Sequence, residues 1–211
     1  MAVVSWALTD LEGVKRFIGI SISDTTHNVL LQRLIDSASS YIEKATDRLL
    51  LARDFDKDVA ADRENTWYNG DGSAVLFLRQ YPVNSISAVE INGSALAAAG
   101  ITDYYGSTGY ALFERQGKLY YANGFTIGIQ NIRVSYNAGY ATDTPEREEL
   151  RELCNALVAL VHKSAVKGTL GFKSERIGLY AYTKGDLKGV DIFGVNGEEI
   201  IFRYKRKWGG Q

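Results

Sequence analysis

Hydrophobic positions fall at helical spacing near both ends of the chain and in short alternating or continuous runs between them, which predicts helices flanking a β-rich middle. Thr9 followed by Glu12 is a capping-box pattern, since such a hydroxyl and carboxylate can satisfy each other's free backbone N–H groups at a helix start. A short helix is therefore expected from about Asp10 to Ile18. After the break at Gly19 to Ser23, Asp24 is placed to cap a second, longer helix. Along it Leu30, Leu34, Ala38, Tyr41 and Ala45 recur at helical spacing, with Leu31, Ile35 and Ile42 widening the stripe to two contact sides.

From Trp67 to Tyr140 the punctuation changes. Asn69-Gly70-Asp71-Gly72, Asn92-Gly93, Gln116-Gly117 and Asn123-Gly124 supply residues that tolerate positive φ, as tight hairpin turns require. Between them Ala74 to Leu78 is a continuous apolar run. Ile132, Val134 and Tyr136 alternate with Asn131, Arg133 and Ser135, the pattern of a strand with one buried face. Pro82, with no N–H to donate, belongs at a strand edge or start.

Thr144-Pro145 reads as N-cap and first helical residue, with Glu146, Glu148 and Glu149 where a helix N-terminus favours negative charge. The helix that follows, to about Ala165, carries Leu150, Leu153, Leu157, Leu160 and Val161 on one stripe, broadened by Cys154 and Val158 into a central core helix. Gly168 to Gly194, rich in Gly and Tyr, resembles a loop or extended arm. Asn196 and Glu199 then offer a second capping pattern for a short terminal helix. The expected class is α+β: a helical bundle of two N-terminal helices, one long central helix and a short C-terminal helix, with an inserted antiparallel β unit. In segments this gives residues 1–50 as the N-terminal part of the core, 51–143 as the β insertion, 144–166 as the central helix, and 167–211 as arm and tail.

Charge refines this picture. The formal net charge of -1 hides an asymmetry: residues 1–162 hold 14 Lys+Arg against 20 Asp+Glu, and residues 163–211 hold 10 against 5. The body is acidic and the tail basic. One cysteine excludes an intramolecular disulfide, and the opening MAVVSWALTDLEGVKRF has neither a basic n-region nor a long apolar run, so no secretory leader or membrane span is expected.

Candidate chemistry is sparse. His27 and His162 have no second His or Cys at metal-ligand spacing, and no glycine pattern of a phosphate-binding loop or nucleophile elbow occurs. Cys154 lies among Leu153, Ala156, Leu157 and Val158 and reads as core. Adjacent carboxylates such as Glu148-Glu149 and Glu198-Glu199 splay around a helix and do not converge as an acid and base would. No catalytic residue, cofactor or metal is expected. What remains is Arg203-Tyr204-Lys205-Arg206-Lys207-Trp208, a cluster suited to nucleic acid or to a protein interface. In a chain of net charge -1 the protein interface is favoured.

The order of parts carries a resemblance: a capped short helix, a long helix ending SSYIEKATDRLL, the stretch YNGDGSAVLFLRQYPVNSISAVEING, then IRVSYNAGYATDTPEREELRELCNALVALV, SERIGLYAYTK and IIFRYKRKW. Across most of residues 8 to 208 this resembles the head-tail connector (head completion) family of long-tailed phages and prophages. The resemblance implies a virion protein of the neck, assembled in the host cytoplasm. It would form a ring, typically dodecameric, beneath the portal protein and present its far side to a stopper or tail-completion protein. Double-stranded DNA would pass through without sequence-specific binding, and no reaction would be performed. On this reading Arg203, Tyr204, Lys205, Arg206, Lys207 and Trp208 are expected to dock on the portal. Phe172, Ile177, Tyr180 and Tyr182 of the arm are expected to reach a neighbouring subunit. The lumen is expected to be acidic or neutral, because a basic channel would hold phosphates.

Two other classes stand beside it. One is a β-rich carbohydrate- or protein-binding module of a phage or bacterial surface structure, using Trp67, Tyr68, Tyr104, Tyr105, Tyr120 and Tyr121. The other is an enzyme with a site of scattered residues, for which no motif speaks.

Overall fold

A computed structural model describes residues 6–100, 108–166, 174–177, 180–183, 191–192 and 195–206. The chain divides into two compact units, one built from the helices before residue 49 and after residue 142, the other from the β-rich stretch 49–142. The long helices and the larger antiparallel sheets thus fall in separate units, as in an α+β chain.

In the helical unit, α1 spans Leu11–Ile18 and α2 spans Asn28–Thr46. The cap of α1 is Asp10, whose carboxylate accepts from the Gly13 N–H at 2.7 Å. The Thr9–Glu12 capping box does not form, because Thr9 donates its hydroxyl at 2.7 Å to the buried Asn155 carboxamide on α4, which spans Pro145–Val166. Nor does Asp24 cap α2. That helix starts after His27 with no side-chain cap, while Asp24 accepts from the Thr26 N–H within its own turn. The loop between α1 and α2 is tied down from beneath by the buried Lys15, whose ammonium donates to the carbonyls of Ile22 and Asp24.

The buried stripe of α2 is Leu31, Ile35, Ser39, Ile42 and Thr46, one position round from the expected leading stripe, and Tyr41 is exposed. Two polar residues disguise this seam. Ser39 accepts from the Leu8 N–H at 3.0 Å, and Thr46 donates to the Ile42 carbonyl at 2.9 Å, so both are satisfied where hydrophobic periodicity finds a gap. On α4 the expected start holds: Thr144 precedes Pro145, and its carbonyl accepts from the Glu148 N–H at 3.1 Å. Leu150, Leu153, Cys154 and Val158 are buried as expected, whereas Val161 is exposed and Asn155 takes a core position. The last helix, α5, spans Gly197–Tyr204.

The β unit is organised on one strand. β8 (Gly128–Ala138) pairs antiparallel on one side with β1 (Arg53–Phe55) and β2 (Trp67–Gly70), and on the other with β4 (Val83–Ile91). Between β1 and β2 lies α3 (Arg63–Thr66). β4 turns through Asn92-Gly93, at φ 53 and 80, into the short β5 (Ser94–Ala95), the positive-φ pair that a two-residue hairpin demands. A second sheet has the order β3 (Val75–Phe77), β7 (Lys118–Tyr120), β6 (Ala111–Phe113). Ile132, Val134 and Tyr136 of β8 are buried as their alternation predicts, packed with Phe55, Tyr68, Leu119 and Phe125. Pro82 stands just before β4, and its carbonyl accepts from the Gly139 N–H at 2.9 Å.

Within the segment expected as an arm, β9 (Ser174–Ile177) pairs with β10 (Tyr180–Thr183), and β11 (Asp191–Ile192) with β12 (Val195–Asn196). These short ladders replace a purely irregular arm. The rest of Gly168 to Gly194 lies outside the described residues. Among the described residues no helix is long and apolar enough to cross a membrane.

Candidate assembly surfaces

The C-terminal basic segment is built onto α5. Asn196 caps this helix by accepting from the Glu198 N–H at 2.7 Å, and Glu198 and Glu199 occupy its first turn, where the dipole favours them. Ile200, Ile201 and Tyr204 face inward. Glu149 of α4 receives both the Tyr204 hydroxyl at 2.5 Å and the Arg203 guanidinium at 2.7 Å. At the helix C-terminus the buried Arg48 donates to the Tyr204 carbonyl at 3.0 Å, placing a cation where the dipole is negative. Beyond it the Arg206 N–H bonds the Thr46 carbonyl, and its guanidinium lies 3.5 Å from Asp47.

Of the six residues expected to dock, Arg203, Tyr204 and Arg206 are therefore engaged inside their own unit, and Lys205 is exposed. Lys207 and Trp208 lie outside the described residues. Phe202, which sequence reading passed over, is 73% exposed on the same helix. Of the expected arm residues, Phe172 lies outside the described residues. Ile177 ends β9 opposite Tyr180 of β10, and Tyr182 stands opposite Glu175.

Groups with chemical potential are quiet. Burial pushes the Cys154 thiol up to about 11, opposed by its contact with Ser39, so it is not a thiolate at neutral pH. Among the described residues no three His, Cys, Asp or Glu side chains cluster to hold a metal ion. A cleft of about 520 Å³ beside α1 and α4 contains Arg16 and Arg151, which pair with Glu12 and Glu148 at 2.5 and 2.6 Å. Those charges are spent on each other.

The aromatic set that a carbohydrate platform would need is dispersed. Tyr68 is buried with its hydroxyl on the Asn65 carbonyl, Tyr120 and Tyr121 are half-buried, and Tyr104 and Tyr105 lie outside the described residues. Trp67 is overlain by the guanidiniums of Arg63 and Arg133, each with its central carbon 4.2 Å from the ring centroid. A signal for this stack existed only for Arg63, four residues from Trp67 across a helix turn. Arg133 is brought in by strand pairing.

The sequence model of the family described as head completion protein matches residues 7–177. No curated protein matches the chain. Among solved structures, a chain from the neck of an empty GTA particle computed with C6 symmetry aligns with a TM-score of 0.55 at 16% identity, covering 100% of this chain and 96% of that one. A chain from the virion of a native gene transfer agent (GTA) particle aligns with a TM-score of 0.56 at 15% identity, again covering 100% and 96%. At such identities the likeness is one of fold.

Proposed function

Because the chain belongs to the head completion protein family, we propose that it is a structural protein of a tailed-phage or phage-like virion, placed in the neck where head meets tail. The observation that carries this reading is a fold shared along the full chain with a chain from the neck of a GTA particle. No covalent chemistry is assigned to it. Its work is recognition and closure, performed by surfaces.

In finer detail, the chain is an adaptor that closes into a ring beneath the portal, continues the DNA channel and offers a platform to a stopper or tail-completion protein. Ring closure from identical copies needs two different complementary patches on each chain, meeting head to tail. An acidic body suits the passage of DNA, since a lumen lined with Lys and Arg would retard phosphates.

The test is genetic and visual. Particles from a producer lacking this gene, viewed by electron microscopy, should accumulate as packaged heads and separate tails, and complementation should rejoin them. Normal tailed, infectious particles from the deletion strain would end the proposal.

A further inference from the structure

A cationic stack in the β unit makes no ion pair of its own among the described residues. Trp67 in β2 and its Cα partner Arg133 in β8 share one face of the sheet, opposite the face where Tyr68 and Ile132 are buried. The indole N–H donates to the Lys57 carbonyl at 2.9 Å, which sets the position of the ring. The guanidinium carbons of Arg63 and Arg133 each lie 4.2 Å from its centroid, so the two cations sit within twice that distance of one another.

Arg63 is further held by one N–H donated to Gln130 at 2.5 Å. Gln130 adopts a left-handed backbone, φ 50, and its own N–H donates to Asn69 at 2.7 Å. The Arg133 guanidinium makes neither hydrogen bond nor ion pair with any described residue. The neighbouring carboxylates bond other groups: Glu90, the cross-strand partner of Arg133, and Asp58 pair with Lys57, Glu64 with Arg79, and Asp56 accepts from Ser135.

A guanidinium that rests by its face on an indole keeps its N–H edge free and loses less rotamer entropy on binding. Two such cations on one ring repel each other until an anion arrives. We propose that Arg63 and Arg133, held on Trp67, form a docking site for a carboxylate-bearing surface of a protein partner. Paired N–H donors match the planar carboxylate in a bidentate fork.

The surroundings favour discrete carboxylates over nucleic acid. Asp58 and Glu64 flank the stack with side chains 70% and 83% exposed. Residues 49–142 hold seven Lys+Arg against nine Asp+Glu. A duplex, with one charge per about 1.7 Å of axis, would drive phosphates onto those acids. A partner offering two or three carboxylates at the stack avoids them.

The proposal stands whether or not the head-tail reading holds, because it is tested by binding to the full chain alone. Trp6→Phe and Trp208→Phe leave Trp67 as the sole tryptophan, and its emission reports directly on the stack. A peptide of consecutive glutamates, titrated at low ionic strength, should change that emission saturably. Arg63→Gln or Arg133→Gln should weaken binding by about tenfold or more. Arg133→Lys should weaken it too, since an ammonium keeps the charge but loses the fork. Arg63 is exposed on α3 and Arg133 half-buried on the face of β8 away from the core, so circular dichroism should be unchanged in each variant. An absent response, equal affinity in the glutamine variants, or tighter arginine-dependent binding of a short DNA duplex would overturn it.

Discussion

His162 stands 5.2 Å from His27, centroid to centroid and edge to face, with its Nε2 buried and given no hydrogen-bond partner by any described residue. Burial, and then the nearby His27, lower its proton affinity from the ordinary 6.5. The unfolded chain takes up this proton more readily than the folded one, so the neutral ring's contribution to stability is full above pH 6.5 and is lost as pH falls through the lower folded value. Thermal unfolding should therefore shift to lower temperature between about pH 7 and about pH 5, and His162→Gln should flatten that dependence. Scanning calorimetry across the range decides it; an unchanged slope in the variant would place the proton uptake elsewhere. Sequence reading found no partner for either histidine, because nothing in their spacing brings the start of α2 beside the end of α4.

At the scale of elements, β8 orders the β unit, and its exit depends on Gly139. That residue holds φ 113, and a Cβ there would lie 2.5 Å from the backbone carbon and oxygen of Leu51 and 2.7 Å from the Ala52 nitrogen. Backbone cannot swing aside as a flexible side chain can. Gly139→Ala should cost about 3 kcal/mol or more from clash and strain together. Gly93→Ala, at φ 80 in a turn with nothing within 4 Å, should cost only about 1 kcal/mol. Urea midpoints of the two variants test the contrast, and equal losses would refute it. Turns and helix starts of this kind were legible in the sequence because their causes are local: Asn92-Gly93 and Thr144-Pro145 each specify their own backbone. The extent of α1 was legible too, but its capping partner and the seam of α2 were not. Thr9 is drawn away by Asn155, and Ser39 and Thr46 are core residues that hydrophobic periodicity does not count. The arginine stack was hidden for the same reason, since strand pairing joins residues 67 and 133.

For the whole molecule, the C-terminal end of the basic tail read from the sequence is partly engaged within the helical unit. Glu149 neutralises Arg203, Asp47 faces Arg206, and Tyr204 is core. If this end docks on the portal, as the sequence reading expects, the contact must be made by what is left over. Among the described residues that is the exposed Lys205 with the protruding Phe202, an aromatic and a cation of the kind that anchor protein interfaces. Removing residues 203–211 would also strip Tyr204 from the core and confuse docking with folding. Point variants separate the two. Phe202→Ser with Lys205→Glu should keep helical circular dichroism and the unfolding midpoint, yet lower co-sedimentation with portal rings by about tenfold, the loss of one apolar anchor and one charge. Tyr204→Ala should instead lower the midpoint, through a loss of about 3 kcal/mol of stability for a buried aromatic. Undiminished portal binding by the Phe202 and Lys205 double variant would move the docking surface off α5 and leave the carboxylate-seeking stack on the β unit as the better-founded contact.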